Sequence, residues 1–179
     1  CTRANTLTET TTAPADSAQT VKISSSGAAS SEAPADSILF SAQTTEGGTF
    51  TSEDLRNYDL TMVNIWTTWC GYCVQEMPEL QKLYKSLPAN VNMITYCYDG
   101  NQSADAAVSL LAASNCTFTT LLPDADFQKL YLGDLSGYPS TIFLDRYGNI
   151  TGKMQVGLPA RSNVADAYMK LIEERLALK

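Results

Sequence analysis

The chain of 179 residues contains no histidine. That absence excludes Ser-His-Asp and Cys-His nucleophilic catalysis, and it removes the commonest protein ligand for zinc or haem. Cations are scarce: 12 Lys and Arg stand against 19 Asp and Glu, for a net charge of −7. Such a surface has no electrostatic basis for holding nucleic acid. No apolar run reaches the roughly 18 residues that a transmembrane helix needs. The Cys-x-x-Cys at Cys70 and Cys73 has no second copy, and no internal repeat is visible.

What is present divides into two parts. Residues 2–36 are dominated by Thr, Ser, Ala, Pro, Glu and Asp, with Leu7, Val21 and Ile23 as the only large aliphatics. Such a segment cannot offset its ordering entropy by burial, so disorder is expected. As a flexible coil of about 35 residues it would span on the order of 30–35 Å. Cys1 stands in front of it. A cysteine followed by a polar stretch resembles the start of a mature bacterial lipoprotein, in which that cysteine carries lipid; the alternative is arbitrary numbering. The expectation is a lipid-anchor Cys1 and a tether over residues 1–36. Together they would hold a domain of residues 37–179 at the outer face of a bacterial cytoplasmic membrane. With Cys1 set aside, four cysteines remain of the five. The compartment they imply is oxidising or redox-managed, outside the cytoplasm.

From Ser37 onward the pattern alternates. Ile38–Phe40 and Thr49–Thr51 flank Glu46-Gly47-Gly48 and read as a β-hairpin. Ser52 is placed to cap a short helix. Leu60–Trp66 is a mostly apolar strand suited to a sheet covered on both faces. A helix should open at Cys70 and run to about Ser86, kinked at Pro78. Val91–Cys97 reads as a strand, and Ala106, Ala107, Leu110 and Leu111 mark a helix ending near Asn115. Phe118–Leu122 reads as a strand, and Asp124 as the cap of a short helix through Tyr131. Two further strands, Thr141–Leu144 and Ile150–Val156, should form a hairpin. The last helix has Ser162 as its cap and an apolar face of Val164, Ala167, Tyr168, Leu171, Ile172 and Leu176. This order predicts an α/β sandwich with a mixed sheet.

Two cysteines separated by two residues at a helix start can form a small disulfide ring. Cys70 would lie where unpaired backbone N–H groups and the positive end of the helix dipole favour its thiolate. Cys73, one turn further in, can attack a mixed disulfide held on Cys70, which makes Cys70 the nucleophile and Cys73 the resolving thiol. Zinc would need two more ligands, with no histidine to supply them. No metal and no cofactor is therefore expected.

The run Asn64-Ile65-Trp66-Thr67-Thr68-Trp69-Cys70-Gly71-Tyr72-Cys73-Val74-Gln75-Glu76-Met77-Pro78 resembles the active-site segment of the TlpA/ResA-like branch of the thioredoxin superfamily. The likeness continues in Gly137-Tyr138-Pro139-Ser140-Thr141-Ile142-Phe143-Leu144-Asp145 and covers about residues 38–176. It implies a thioredoxin-like fold, a central mixed β-sheet flanked by helices with an N-terminal β-hairpin. It also implies a cis bond between Tyr138 and Pro139, with the backbone there pairing with an incoming substrate strand. By the same resemblance Glu76 lines a cavity beside the cysteines and exchanges protons with Cys73. The buried Asp that thioredoxin has six positions before its first cysteine is here Asn64, which does not titrate. Trp69 and Tyr72 would flank the exposed sulfur as a contact surface, and Trp66 belongs to the core.

The family further implies protein thiol or disulfide substrates and a transmembrane electron donor of the CcdA/DsbD type. Its targets include apocytochrome c, so cytochrome c biogenesis is one implied setting, and the chain is expected to be a monomer. Gly71-Tyr72 supplies no cation for the Cys70 thiolate, which favours a disulfide reductase over an oxidase. A peroxidase of the related peroxiredoxin branch is disfavoured, since Thr67 is followed by a Cys-x-x-Cys. A binding lipoprotein that keeps its cysteines for structure is the non-enzymatic alternative. Cys97 and Cys116 allow three readings: a structural disulfide, two buried free thiols, or a second redox function.

Overall fold

The computed structural model describes residues 38–178; the expected lipid site at Cys1 and the tether lie outside them. The chain order is β1 (Ser41–Gln43), β2 (Thr49–Thr51), a 3₁₀ helix (Ser52–Asn57), β3 (Leu60–Trp66), α1 (Gly71–Ser86), β4 (Val91–Cys97), α2 (Gly100–Ala113), β5 (Thr120–Leu121), α3 (Ala125–Tyr131), β6 (Ser140–Asp145), β7 (Gln155–Val156) and α4 (Val164–Leu176). All of it falls within one unit, Ala33–Lys179.

The apolar run of β3 is buried at every position and forms the centre of a five-stranded sheet of order β5-β4-β3-β6-β7. β3 pairs with β4 in parallel and with β6 antiparallel, so the sheet is mixed. Alternation along β3 divides its side chains between two layers. Leu60, Met62 and Trp66 pack with Met77 and Leu80 of α1, Ala107 and Leu111 of α2, and Val164 and Ile172 of α4. Val63 and Ile65 pack on the other side with Phe40, Phe50, Phe127 and Tyr131. The fold is thioredoxin-like, with the β1–β2 hairpin, the 3₁₀ helix and α3 on one face and α1, α2 and α4 on the other.

Several boundaries differ from the sequence expectation, each for a local reason. The hairpin pairs Ser41–Gln43, not Ile38–Phe40, with Thr49–Thr51, because its turn closes through Thr44 N–H to Gly48 O (2.9 Å) with Gly47 at φ +84°. Ser52 does not cap the 3₁₀ helix: its hydroxyl accepts from Leu39 N–H at 2.8 Å. Thr51 takes that place, its N–H donating to Asp54 at 2.7 Å. α2 begins at Gly100, six residues before Ala106, its polar first turn having hidden the start. In residues 150–156 only Gln155–Val156 pairs with β6; Ile150 makes an isolated bridge to Leu144, and Gly152 turns the chain at φ +74°. Asn163, in the left-handed region, precedes α4 where Ser162 was expected as the cap. Asp124 caps α3 as expected, accepting from Phe127 N–H at 2.8 Å.

The disulfide considered for Cys97 and Cys116 is not formed; both are free thiols. β4 and β5 run parallel with Thr95 beside Thr120. Cys97 lies two residues past that point, at the end of β4, and Cys116 four residues before it, ahead of β5. Cys97 donates to Asp99 at 3.4 Å, and Cys116 to the Met77 carbonyl at 3.8 Å. Burial, helped by Asp99, pushes the Cys97 thiol up, and burial pushes Cys116 up to about 11. Neither is a ready thiolate, which counts against a second redox centre. Alkylating the denatured, unreduced protein should therefore label Cys97 and Cys116 and spare Cys70 and Cys73, as read by peptide mass spectrometry. Protection of the first pair would overturn the assignment.

Candidate redox active site

β3 delivers the chain to a short turn, Thr67–Trp69, and Cys70 then occupies the N-cap of α1. Its sulfur accepts from Cys73 N–H at 3.2 Å, using one of the amides that a helix start leaves unpaired. Cys70 and Cys73 are joined as a disulfide, with Cα atoms 5.3 Å apart. Cys70 retains 7% exposure and Cys73 only 1%. A thiolate at Cys70 would receive the helix-terminal N–H groups and the positive end of the dipole.

One turn beyond Cys73, Glu76 is 2% exposed and lies in a polar cluster inside the core. Asn64 faces α1 because it occupies the same β3 row as Met62 and Trp66. Its Nδ2 donates to Glu76 Oε1 at 2.8 Å, and the Tyr168 hydroxyl on α4 donates to Oε2 at 3.1 Å. Thr141, the register partner of Asn64 on β6, donates to the Tyr168 hydroxyl at 3.3 Å. Among the described residues, no cation enters this cluster. Burial raises the Glu76 carboxyl from 4.5 to about 7, the hydrogen bonds from Asn64 and Tyr168 offsetting part of the shift.

The turn before Cys70 is braced from the end of β4. Asp99 accepts from Thr68 N–H at 3.0 Å, and from the Thr68 hydroxyl, while Tyr98 N–H donates to Trp66 O at 2.8 Å. Burial alone would raise the Asp99 carboxyl, but the bonds from Thr68 and Cys97 outweigh it and hold Asp99 below the ordinary value. The Tyr98 ring lies 5.7 Å from that of Tyr138, and Trp69 meets Tyr138 edge-on at 5.7 Å. The Tyr138–Pro139 peptide bond is cis. Tyr72, Tyr138, Pro139, Gly157 and Leu158 line a cleft of about 250 Å³. Trp69 and Tyr72 are 71% and 67% exposed. Cys70, Cys73, Glu76, Trp69, Tyr72, Tyr138 and Pro139 thus gather at the carboxyl ends of β3 and β4 and the start of β6; Cys97, the last residue of β4, adjoins them through its bond to Asp99, and Cys116 lies against Met77 further along α1.

Sequence reasoning missed Tyr168, Thr141, Tyr98 and Asp99. Tyr168 was counted within the apolar stripe of α4, although a buried Tyr hydroxyl requires a partner and so pointed to a polar contact. Among the described residues, no group of three or more Cys, Asp or Glu is placed to hold a metal ion, and no helix is long and apolar enough to cross a membrane.

A disulfide at a helix N-terminus beside a cis-proline loop, in this fold, is the architecture of the thiol–disulfide oxidoreductases. The chain belongs to the Redoxin family, whose profile matches residues 16–171. It is 28% identical over 112 residues to the thioredoxin-like protein YneN of Bacillus subtilis, a match covering 62% of this chain and 64% of that protein. It is 33% identical over 131 residues to the thiol:disulfide interchange protein DsbE of Pseudomonas fluorescens, covering 70% of this chain and 69% of the relative. Among solved structures, an exposed lipoprotein thioredoxin of Streptococcus pneumoniae superposes with a TM-score of 0.59 at 19% identity, over 75% of this chain and 98% of the other. At that identity the likeness concerns the fold.

Glu76 supplies a stability test. Its folded value lies above its ordinary one, so the folded state binds the proton more tightly. The resulting stability is complete below about pH 4.5 and is lost as pH rises through about 7. Glu76→Gln, which keeps the shape without the charge, should remove this slope and exceed the parent at pH 8 by up to about 3 kcal/mol. Denaturant titrations at pH 4.5 and 8 check it; equal slopes in both proteins would contradict the burial of an ionisable Glu76. Asp99→Ala, which strips two bonds from the Thr68 turn, should cost about 1–3 kcal/mol by the same measurement.

Proposed function

We propose that the protein is a membrane-tethered, extracytoplasmic thiol–disulfide oxidoreductase that reduces disulfides of exported proteins. The observation that carries this reading is the asymmetry of the pair: Cys70 keeps 7% exposure at a helix start, and Cys73, 1% exposed, lies one turn from a carboxyl group whose value burial raises to about 7.

In the reduced protein, the Cys70 thiolate attacks a substrate disulfide, forming a mixed disulfide and expelling one substrate thiolate, which takes up a proton. Cys73 then passes its proton to the Glu76 carboxylate. Its thiolate attacks the Cys70 sulfur, closing the Cys70–Cys73 disulfide and releasing the second substrate thiolate. Two electrons have moved from the pair to the substrate, and a membrane electron donor of the CcdA/DsbD type restores the dithiol. Trp69, Tyr72 and Tyr138 supply the apolar shelf on which the substrate segment rests, and the backbone beside Pro139 pairs with it.

The lipid attachment at Cys1 belongs to this proposal, and an exposed lipoprotein of Streptococcus pneumoniae, similar in fold, is a parallel that supports it. The reducing direction is favoured by Gly71-Tyr72, which brings no cation to Cys70. The relative named as an interchange protein supports exchange with protein thiols; cytochrome c maturation is one candidate setting.

Cys73→Ala expressed in cells should accumulate mixed disulfides through Cys70, identifiable by mass spectrometry, while Cys70→Ser should accumulate none and lose insulin reduction by orders of magnitude. Equal insulin reduction by Cys70→Ser and its parent would remove Cys70 as nucleophile and favour a binding role.

A further inference from the structure

Three hydroxyl and carboxyl groups in the core form a chain that can run in either direction. Thr141 Oγ1 lies 3.3 Å from the Tyr168 hydroxyl, which lies 3.1 Å from Glu76 Oε2. With Glu76 ionised, Thr141 donates to Tyr168 and Tyr168 to the carboxylate. A hydroxyl both donates and accepts, and its hydrogen turns to suit its neighbours. With Glu76 protonated, the acid can donate to Tyr168 and Tyr168 to Thr141, with no heavy atom moving. Asn64 Nδ2 donates to Glu76 Oε1 in both states and also reaches Thr141 at 3.3 Å. The same amide carries Oδ1, a buried acceptor without a partner. All four residues are fully buried, and a polar group left unpaired there would cost heavily.

We propose that Tyr168, backed by Thr141, is a positioning residue that lets Glu76 take up and release a proton with both of its carboxyl oxygens still hydrogen-bonded. This rests on the reading of Glu76 as the proton partner of Cys73. It extends the site to β6 and to the C-terminal helix, neither of which carries a cysteine of the pair.

The surroundings contain little else that could do this. On α1 the neighbouring titratable groups are Cys73 and Glu79. Glu79 is turned away, accepting from Ala165 N–H at 3.2 Å and lying 4.0 Å from Lys82. On α4, Asp166 and Lys170 face solvent, Arg175 two turns beyond Tyr168 packs over the Phe143 ring, and Tyr168 is the titratable side chain bonded to Glu76. β3 and β6 contribute Asn64 and Thr141, neither of which titrates. The proton affinity of Glu76 is thus set by burial and by these neutral partners.

The test is the Glu76 carboxyl itself, followed by ¹³C NMR in the oxidised protein across pH 4–10. The parent should titrate near pH 7. Tyr168→Phe removes a donor to the ionised form, and charge-assisted bonds are the stronger ones, so Glu76 should become an acid about tenfold weaker. Thr141→Val keeps that donor but removes the acceptor that the protonated form needs, so its midpoint should fall. Opposite shifts in the two variants support the proposal. A folded Tyr168→Phe with an unchanged midpoint, or shifts of one sign in both, overturns it. The rate at which Cys73 resolves a chromogenic mixed disulfide on Cys70 is then measured against pH in the parent and in Glu76→Gln. Identical profiles there, alongside opposite NMR shifts, would leave the hydroxyl chain standing and remove Glu76 from the reaction.

Discussion

The hydrogen bond from Asn64 to Glu76, 2.8 Å long, joins the middle of the central strand to the helix that carries the disulfide. A carboxyl group inside the core is tolerated only when its oxygens are bonded, and here one is held from β3 and the other from α4. This fixes the rotation of α1 about its own axis. With Glu76 turned inward, Cys73 one turn earlier is inward too, and Cys70 is left at the rim. The difference between the two sulfurs follows from where a single buried acid must point.

The same placement decides what the site is able to do. A helix start offers N–H groups to a sulfur anion at Cys70, whereas Cys73 is buried in the core cluster one turn before Glu76. Asp99 braces the turn before Cys70, and Tyr98 beside it touches the loop that bears Pro139. One short segment after β4 therefore holds both edges of the cleft in register. The exposed aromatic rings around it are costly to leave in water, and a partner segment covering them would recover that cost.

Much of this was legible in the sequence, and the exceptions are instructive. β3 and β4 read correctly to the residue, because a fully covered strand is one unbroken apolar run with sharp ends. α1 was placed by its cysteines and by Val74, Met77 and Leu80 at helical spacing. The hairpin slipped by three residues, since Phe40 is buried at its mouth and not in its ladder. The cap at Ser52 failed because its hydroxyl serves Leu39, a tertiary contact invisible to local rules. Cys97 and Cys116, at the end of one strand and ahead of the next, left three readings open in the sequence, and both are free thiols. Tyr168 was taken for a hydrophobe, and its role emerges only when four separated elements meet.

The central claim is that this pair of cysteines gives electrons away. It is tested most directly by equilibrating the protein with glutathione or dithiothreitol buffers and reading the Cys70–Cys73 reduction potential. With no cation at Gly71-Tyr72 and carboxyl groups at Glu76 and Asp99, the account predicts a reducing couple, below about −200 mV and nearer to thioredoxin's value of about −270 mV. A value as oxidising as about −120 mV, where the dithiol is the favoured form, would contradict it.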